Sequence, residues 1–186
     1  MSSHDEEVAR ISAAVTAFYD AKQPFRIFHG STNSTRPAHN SSTVDISGLS
    51  IILGIDRGRL AATVEPNVLM DKLVRATLEH GLIPPVVVEF PGITVGGGFA
   101  GSAGESSSFT HGYFDQTVRS VEMVLATGEI VMAPEKKNVE LFKGAAGALK
   151  TLGIVTKLET SLIPAKCYVV LSYPPFSSVK DMIEAV

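Results

Sequence analysis

The segment that most limits what this chain can become is Pro91 to Phe114, which reads PGITVGGGFAGSAGESSSFTHGYF. Glycine and serine crowd it, and Gly104 with Ser106-Ser107-Ser108 discourages a long helix there. It follows Pro84 to Phe90, an apolar stretch that reads as extended. A second segment of the same kind, Arg26 to Arg36 (RIFHGSTNSTR), follows the short apolar strand predicted over Phe25 to Phe28.

Glycine lets a ligand approach the backbone closely, so that main-chain N–H groups can point at an anion, and Ser and Thr hydroxyls add further donors. A diphosphate can be met in this way without a cluster of lysines. One such loop is as well read as a structural turn; two, each behind an apolar strand, point to a ligand. Gly96-Gly97-Gly98-Phe99-Ala100-Gly101 is also a formal G-x-G-x-x-G. A Rossmann reading needs a preceding strand, a following helix and an acidic residue about 20 positions on, the last of which Glu122 could supply. The preceding strand is present, but Gly104 and the serine run disfavour the helix and the surrounding order is not strand–helix–strand, so this stays a minor alternative. A Walker loop is ruled out, because no Gly-Lys-Ser/Thr follows.

Around these loops the chain mixes helices and strands. Val8, Ile11, Val15 and Phe18 have helical spacing, which predicts an amphipathic helix in the first twenty residues. Strands are expected at Thr43 to Ile46, Ile51 to Ile55 and Leu60 to Glu65, the last two forming a hairpin around Asp56 to Arg59. A helix should run from Pro66-Asn67 to about His80, with Met70, Leu73, Val74 and Thr77 on one face and Gly81 at its stop. Val118 to Leu125 and Glu129 to Ala133 read as a second hairpin around Thr127-Gly128. A short helix near Asn138 to Phe142 and a strand from Ile154 to Ile163 follow. The pattern is α+β. Beyond Pro164, Cys167 to Tyr173 begins a new strand and Val179 onward a helix, as though a further unit starts there.

With 45% hydrophobic and 19% charged residues the chain should fold, and its net charge of −3 leaves no basic excess for a nucleic-acid partner. Cys167 is the single cysteine, so neither an internal disulfide nor a cysteine zinc site can form, and no metal is expected. The polar, acidic start MSSHDEEVAR is unlike a signal peptide, and no apolar run approaches the length of a membrane span. The sequence as it stands therefore reads as cytoplasmic. On that reading the sequons at Asn33 and Asn40 are accidental.

HGSTNS, the glycine–serine segment and LGIVTKLETSLIPAK together resemble the FAD-binding domain of the vanillyl-alcohol oxidase and p-cresol methylhydroxylase (PCMH-type) flavoproteins. GESSS before HGYF, with IPAKCYV, is most similar to the Δ24-sterol reductase branch of that superfamily. The resemblance implies a two-subdomain α+β fold over 25–164, divided near residue 65, behind an N-terminal helix over 1–24. Residues 165–186 would begin a truncated substrate-binding, or cap, domain. His29, Gly30, Ser31, Thr32, Asn33 and Ser34 would form the first pyrophosphate loop. Pro91, Thr94, Val95, Gly96, Gly97, Gly101, Ser102, Gly104, Glu105, Ser106, Ser107 and Ser108 would wrap the pyrophosphate and approach the isoalloxazine. Gly153, Ile154 and Val155 would lie along the flavin through their main chain.

Some superfamily members attach FAD through a His in the first loop or a Cys near the second. Thr32 holds the first position here and the only cysteine is distant in sequence, so non-covalent FAD is expected, with His29 the nearest histidine. The implied function is reduction of a carbon–carbon double bond in a sterol-like lipid, with NADPH as the electron donor and endoplasmic reticulum membrane association of the full-length enzyme. An oxidase or dehydrogenase of the same superfamily, and a flavin-binding module without turnover, are the alternatives. No catalytic residue is assigned. His111 and Glu105 are within reach of a flavin from their loop, although a loop histidine bonded to backbone and a capping glutamate explain them as well. His4, His39 and His80 read as surface residues and Cys167 as packing.

Overall fold

A computed structural model describes residues 3–30, 42–135, 137–170 and 172–185. Helix α1 (His4–Asp20) forms where the helical spacing predicts it, with Val8, Ile11 and Val15 buried. Its start is a capping box: the Ser3 side chain accepts from the Glu6 N–H while the Glu6 carboxylate accepts from the Ser3 N–H. Asp5, Glu6 and Glu7 in the first turn suit the positive end of the helix dipole.

Strands β1 (Arg26–Phe28) and β2 (Thr43–Asp45) make a small parallel pair. Then come β3 (Ile52–Asp56), β4 (Ala61–Val64), helix α2 (Met70–Leu78), the two-residue strand β5 (Leu82–Ile83) and the short helices α3 (Val95–Ala100) and α4 (Ser108–His111). A 3-10 turn at Phe114–Thr117 leads into β6 (Val118–Leu125) and β7 (Ile130–Pro134). Helix α5 (Val139–Ala145), strands β8 (Gly153–Ser161) and β9 (Ile163–Pro164) and helix α6 (Val179–Ala185) complete the order.

Both hairpins lie where their turn residues call for them, and β8 inserts between them to give a five-stranded sheet in the order β3-β4-β8-β6-β7. Every neighbouring pair in it is antiparallel. The α+β class stands. The Rossmann alternative does not, because the sheet is antiparallel and no strand immediately precedes the glycine motif.

The centre of the sheet is buried on both faces. On one face Val121, Met123, Val155 and Leu158 join Leu73 of α2, Phe99 of α3 and Phe142 of α5 in the larger core. On the other, Val124 and Ile154 meet Val8, Ile11 and Val15 of α1, together with Val44, Ile46 and Leu49. Each of these side chains contributes roughly 1.5–3 kcal/mol by leaving water. Helix α1 is thus the cover of a sheet face.

Three expectations need correction. Pro84 to Phe90 is not a strand; pairing stops at Ile83, because neither Pro84 nor Pro85 has an N–H to give to a ladder. Cys167 to Tyr173 forms no strand among the described residues, where its side chains are exposed and no neighbouring strand meets its backbone. Finally, His4 is not a surface residue. Its side chain is 10% exposed, with Nδ1 2.8 Å from Glu65 Oε1 and Nε2 3.0 Å from Glu122 Oε1.

A β-bulge builds the polar layer around His4. Glu122 pairs with Lys157 and Met123 with Val155, so Thr156 is an extra residue in β8. Its hydroxyl donates to the Glu122 carboxylate at 2.8 Å, and Lys157 Nζ donates to the other oxygen at 2.8 Å. Burial would raise the Glu122 carboxyl, but hydrogen bonds from Lys157, His4 and Thr156 outweigh it and hold the group below the usual 4.5.

Candidate functional site

Three segments make up the candidate site, the second and third joined by backbone hydrogen bonds and the first within electrostatic range of the third. The first is the exit of β1, where His29 is half-buried and Gly30 takes a left-handed φ of +86°. The second is α3 with the turn behind it. The third is the stretch after α5, tied down by two hydrogen bonds: Gly147 N–H donates to Phe99 O, and Leu149 N–H to Ala100 O. A side chain on Gly147 would meet Ser102 Oγ at 3.0 Å. Burial, and after it the Lys150 ammonium in the third segment, disfavour protonation of His29.

The glycines of the second segment serve packing first. A Cβ on Gly96 would stand 2.6 Å from Pro66 Cβ and 2.9 Å from Pro66 O, and one on Gly98 would press on the Phe114 ring. Their N–H groups are taken by protein: Gly96 donates to Pro66 O, Gly97 to Thr94 Oγ1 and Gly98 to Thr94 O. Thr94 is the N-cap of α3, and Val95 is buried beneath it. Gly101 N–H returns to Gly97 O and Ser102 N–H to Phe99 O. The triple glycine has no donor left for an anion.

The open donors lie further on. Glu105 Oε1 accepts from Glu89 N–H at 2.7 Å and its own N–H donates to Ser108 Oγ, which fixes the loop across the Pro91 turn. Gly104, Ser106 and Ser107 make no main-chain N–H bond to the protein among the described residues, and the Ser106 and Ser107 hydroxyls are likewise uncommitted. This is where a cradle for oxygen atoms fits. His111, at the end of α4, is exposed. Asp115 Oδ1, in the turn after Phe114, is buried without a hydrogen-bond partner and is an acceptor available to a hydroxyl or amide donor.

Gly153 begins β8 against β6, where a Cβ would meet Val124 O at 2.7 Å. Ile154 and Val155 are buried with their side chains on opposite faces of the sheet. Only their main chain is available to a ligand. Ser31, Thr32, Asn33 and Ser34 lie outside the described residues, as do Asn40 and His39. Large apolar side chains are left exposed on all three segments: Phe28 on β1, Phe90 and Phe109 beside and within the second, and Leu149 and Leu152 in the third.

A model of the FAD binding domain family matches residues 5–133. The chain belongs to that family. This PCMH-type domain is 38% identical over 144 residues to the Δ24-sterol reductase of Pisum sativum, covering 76% of this chain and 25% of that protein. It is 36% identical over 124 residues to the Δ24-sterol reductase of Homo sapiens, covering 67% of the chain and 24% of the relative. Cytokinin dehydrogenase 5 of Arabidopsis thaliana matches at 25% identity over 196 residues, 87% of the chain and 36% of that protein. The chain spans about a quarter of the length of the sterol reductases it matches.

The residues present fit FAD. Open N–H groups at Gly104, Ser106 and Ser107 with the two serine hydroxyls, a left-handed Gly30, exposed apolar side chains and a cation in Lys150 are the components that a diphosphate and a flat ring require. Lys150 and the 146–152 stretch were absent from the sequence-derived site. The signal was there in GAAGALKTLG, a small-residue loop just before a strand, but nothing in sequence says which loop faces which. Among the described residues no group of His, Cys, Asp or Glu could hold a metal, and no helix is long and apolar enough to cross a membrane.

Proposed function

We propose that this domain holds FAD non-covalently and serves a reductase that acts on a carbon–carbon double bond of a sterol-like lipid, with NADPH as electron donor. The observation that carries this reading is the 38% identity to a Δ24-sterol reductase over three-quarters of the chain. His29 to Ser34 would form one wall of the diphosphate site. Gly104 to Ser108 would supply N–H and hydroxyl donors, and the main chain at Gly153 to Val155 would run along the flavin. Bound FAD would supply the hydride chemistry, and the protein its placement and electrostatics. Residues 25–164 would be the flavin domain and 165–186 the start of the substrate-binding part, with membrane association belonging to the full-length enzyme. Non-covalent binding is supported by Cys167, which is exposed beyond β9 and outside both loops.

A second reading has a specific observation behind it. The cytokinin dehydrogenase match covers 87% of the chain, which favours an oxidase or dehydrogenase of the same superfamily.

The purified chain should show flavin absorption bands that pass to the supernatant on acid precipitation. Flavin left in the pellet would refute non-covalent binding. Anaerobic NADPH should bleach the bands in the full-length enzyme; bleaching by an organic substrate without NADPH would favour the second reading. A colourless, folded protein that takes up no added FAD would sink the proposal.

A further inference from the structure

The third segment carries the least expected feature of the site. Leu149 and Lys150, consecutive and neither of them glycine, adopt left-handed φ values of +50° and +67° immediately before β8. Side chains rarely tolerate that conformation, and each instance costs on the order of 1 kcal/mol. The conformation is held by the Leu149 N–H bond to Ala100 O and the Thr151 N–H bond to Ala148 O, and it leaves Leu149 outside while Lys150 is partly buried. Lys150 thereby lies within electrostatic range of His29.

No carboxylate pairs with either of them among the described residues, and residues 31–41 contain no acidic residue in the sequence. Burial pushes the Lys150 ammonium down, and no neighbouring charge offsets it. A half-buried cation with no acid to meet it is the arrangement expected where an anion belongs. The nearby donors are neutral: the Gly30 and Lys150 N–H groups have no partner among the described residues.

We infer that Lys150 is the cation that seats the diphosphate of FAD. This rests on the FAD reading above and adds a residue to it. The triple glycine cannot fill the role, because its N–H groups are spent within the protein. The isoalloxazine of oxidised FAD is neutral, so the diphosphate is the charge that an ammonium can meet.

The test is FAD binding by the chain and by three variants, followed by fluorescence titration at low and high salt, with thermal melting of each apoprotein. Lys150→Gly and Lys150→Met both remove the charge but act oppositely on the backbone, since only glycine relaxes a left-handed φ. Both should raise the Kd for FAD roughly ten- to a hundredfold, the loss of one charge-assisted contact. Lys150→Gly should melt no lower than the parent, and Lys150→Arg should bind within about threefold of it. Salt should weaken the parent more steeply than either neutral variant. If the parent binds FAD and the two neutral variants bind it equally well, with the same salt dependence, the inference is overturned and the FAD reading survives. A parent that binds no FAD overturns both.

Discussion

At the scale of single residues the least replaceable side chain outside the candidate site is Glu122. It sits on a strand yet collects donors from three residues on two other elements: His4 on α1, and Thr156 and Lys157 on β8. Its folded carboxyl is held below the usual 4.5, so its contribution to stability is complete above that pH and is lost as pH falls through the folded value. Urea unfolding of the chain should therefore weaken on acidification below pH 4.5, and Glu122→Gln should flatten that slope while lowering stability at neutral pH. An unchanged slope in the variant would assign the acid sensitivity elsewhere. Its spacing from the glycine motif suits the acidic partner of a Rossmann fold, but its role in the structure is to anchor a helix. Sequence spacing could not separate the two, because His4 and Glu122 are 118 positions apart.

Among the elements, α3 is the most instructive. A run of Gly96-Gly97-Gly98 reads as a flexible cradle, yet the structure makes it one and a half turns of helix wedged between Pro66 and Phe114. Glycine is needed there because two elements approach too closely for a Cβ. Gly96→Ala should cost about 1–3 kcal/mol in chemical denaturation, since the Pro66 backbone cannot move aside as a flexible side chain could. A loss below about 0.5 kcal/mol would mean that the helix shifts freely. The open donors moved by contrast to Gly104, Ser106 and Ser107, residues already in the sequence-derived site but not its centre. The hairpins were legible to within a residue or so, because turn chemistry is local. Pro84 to Phe90 misled, because apolar character alone does not supply the N–H groups a strand must donate.

For the whole molecule, the consequence of a sheet buried on both faces is that α1 belongs to the fold. Ile11 is fully buried between α1 and the face carrying Val124 and Ile154. Ile11→Ala should cost roughly 2–4 kcal/mol, measured by thermal or urea unfolding, and should do so in one cooperative transition. A separate early transition would show α1 to be an independent layer. The family match, beginning at residue 5, takes in this helix as well.

The sequence by itself determined the elements whose causes are local: the amphipathic helix, the two hairpins, the helix stop at Gly81, the α+β class and the family. It also marked the loops of the candidate site, since small residues and hydroxyls are visible without coordinates. The tertiary structure decided what depends on distance in space. It put β8 between the two hairpins, His4 between two glutamates and the Leu149-Lys150 turn against α3, and it sorted glycines that pack from loop residues whose N–H groups remain open. Those outcomes follow from burial and from the pairing of backbone donors across the fold, and both are set by which segments meet.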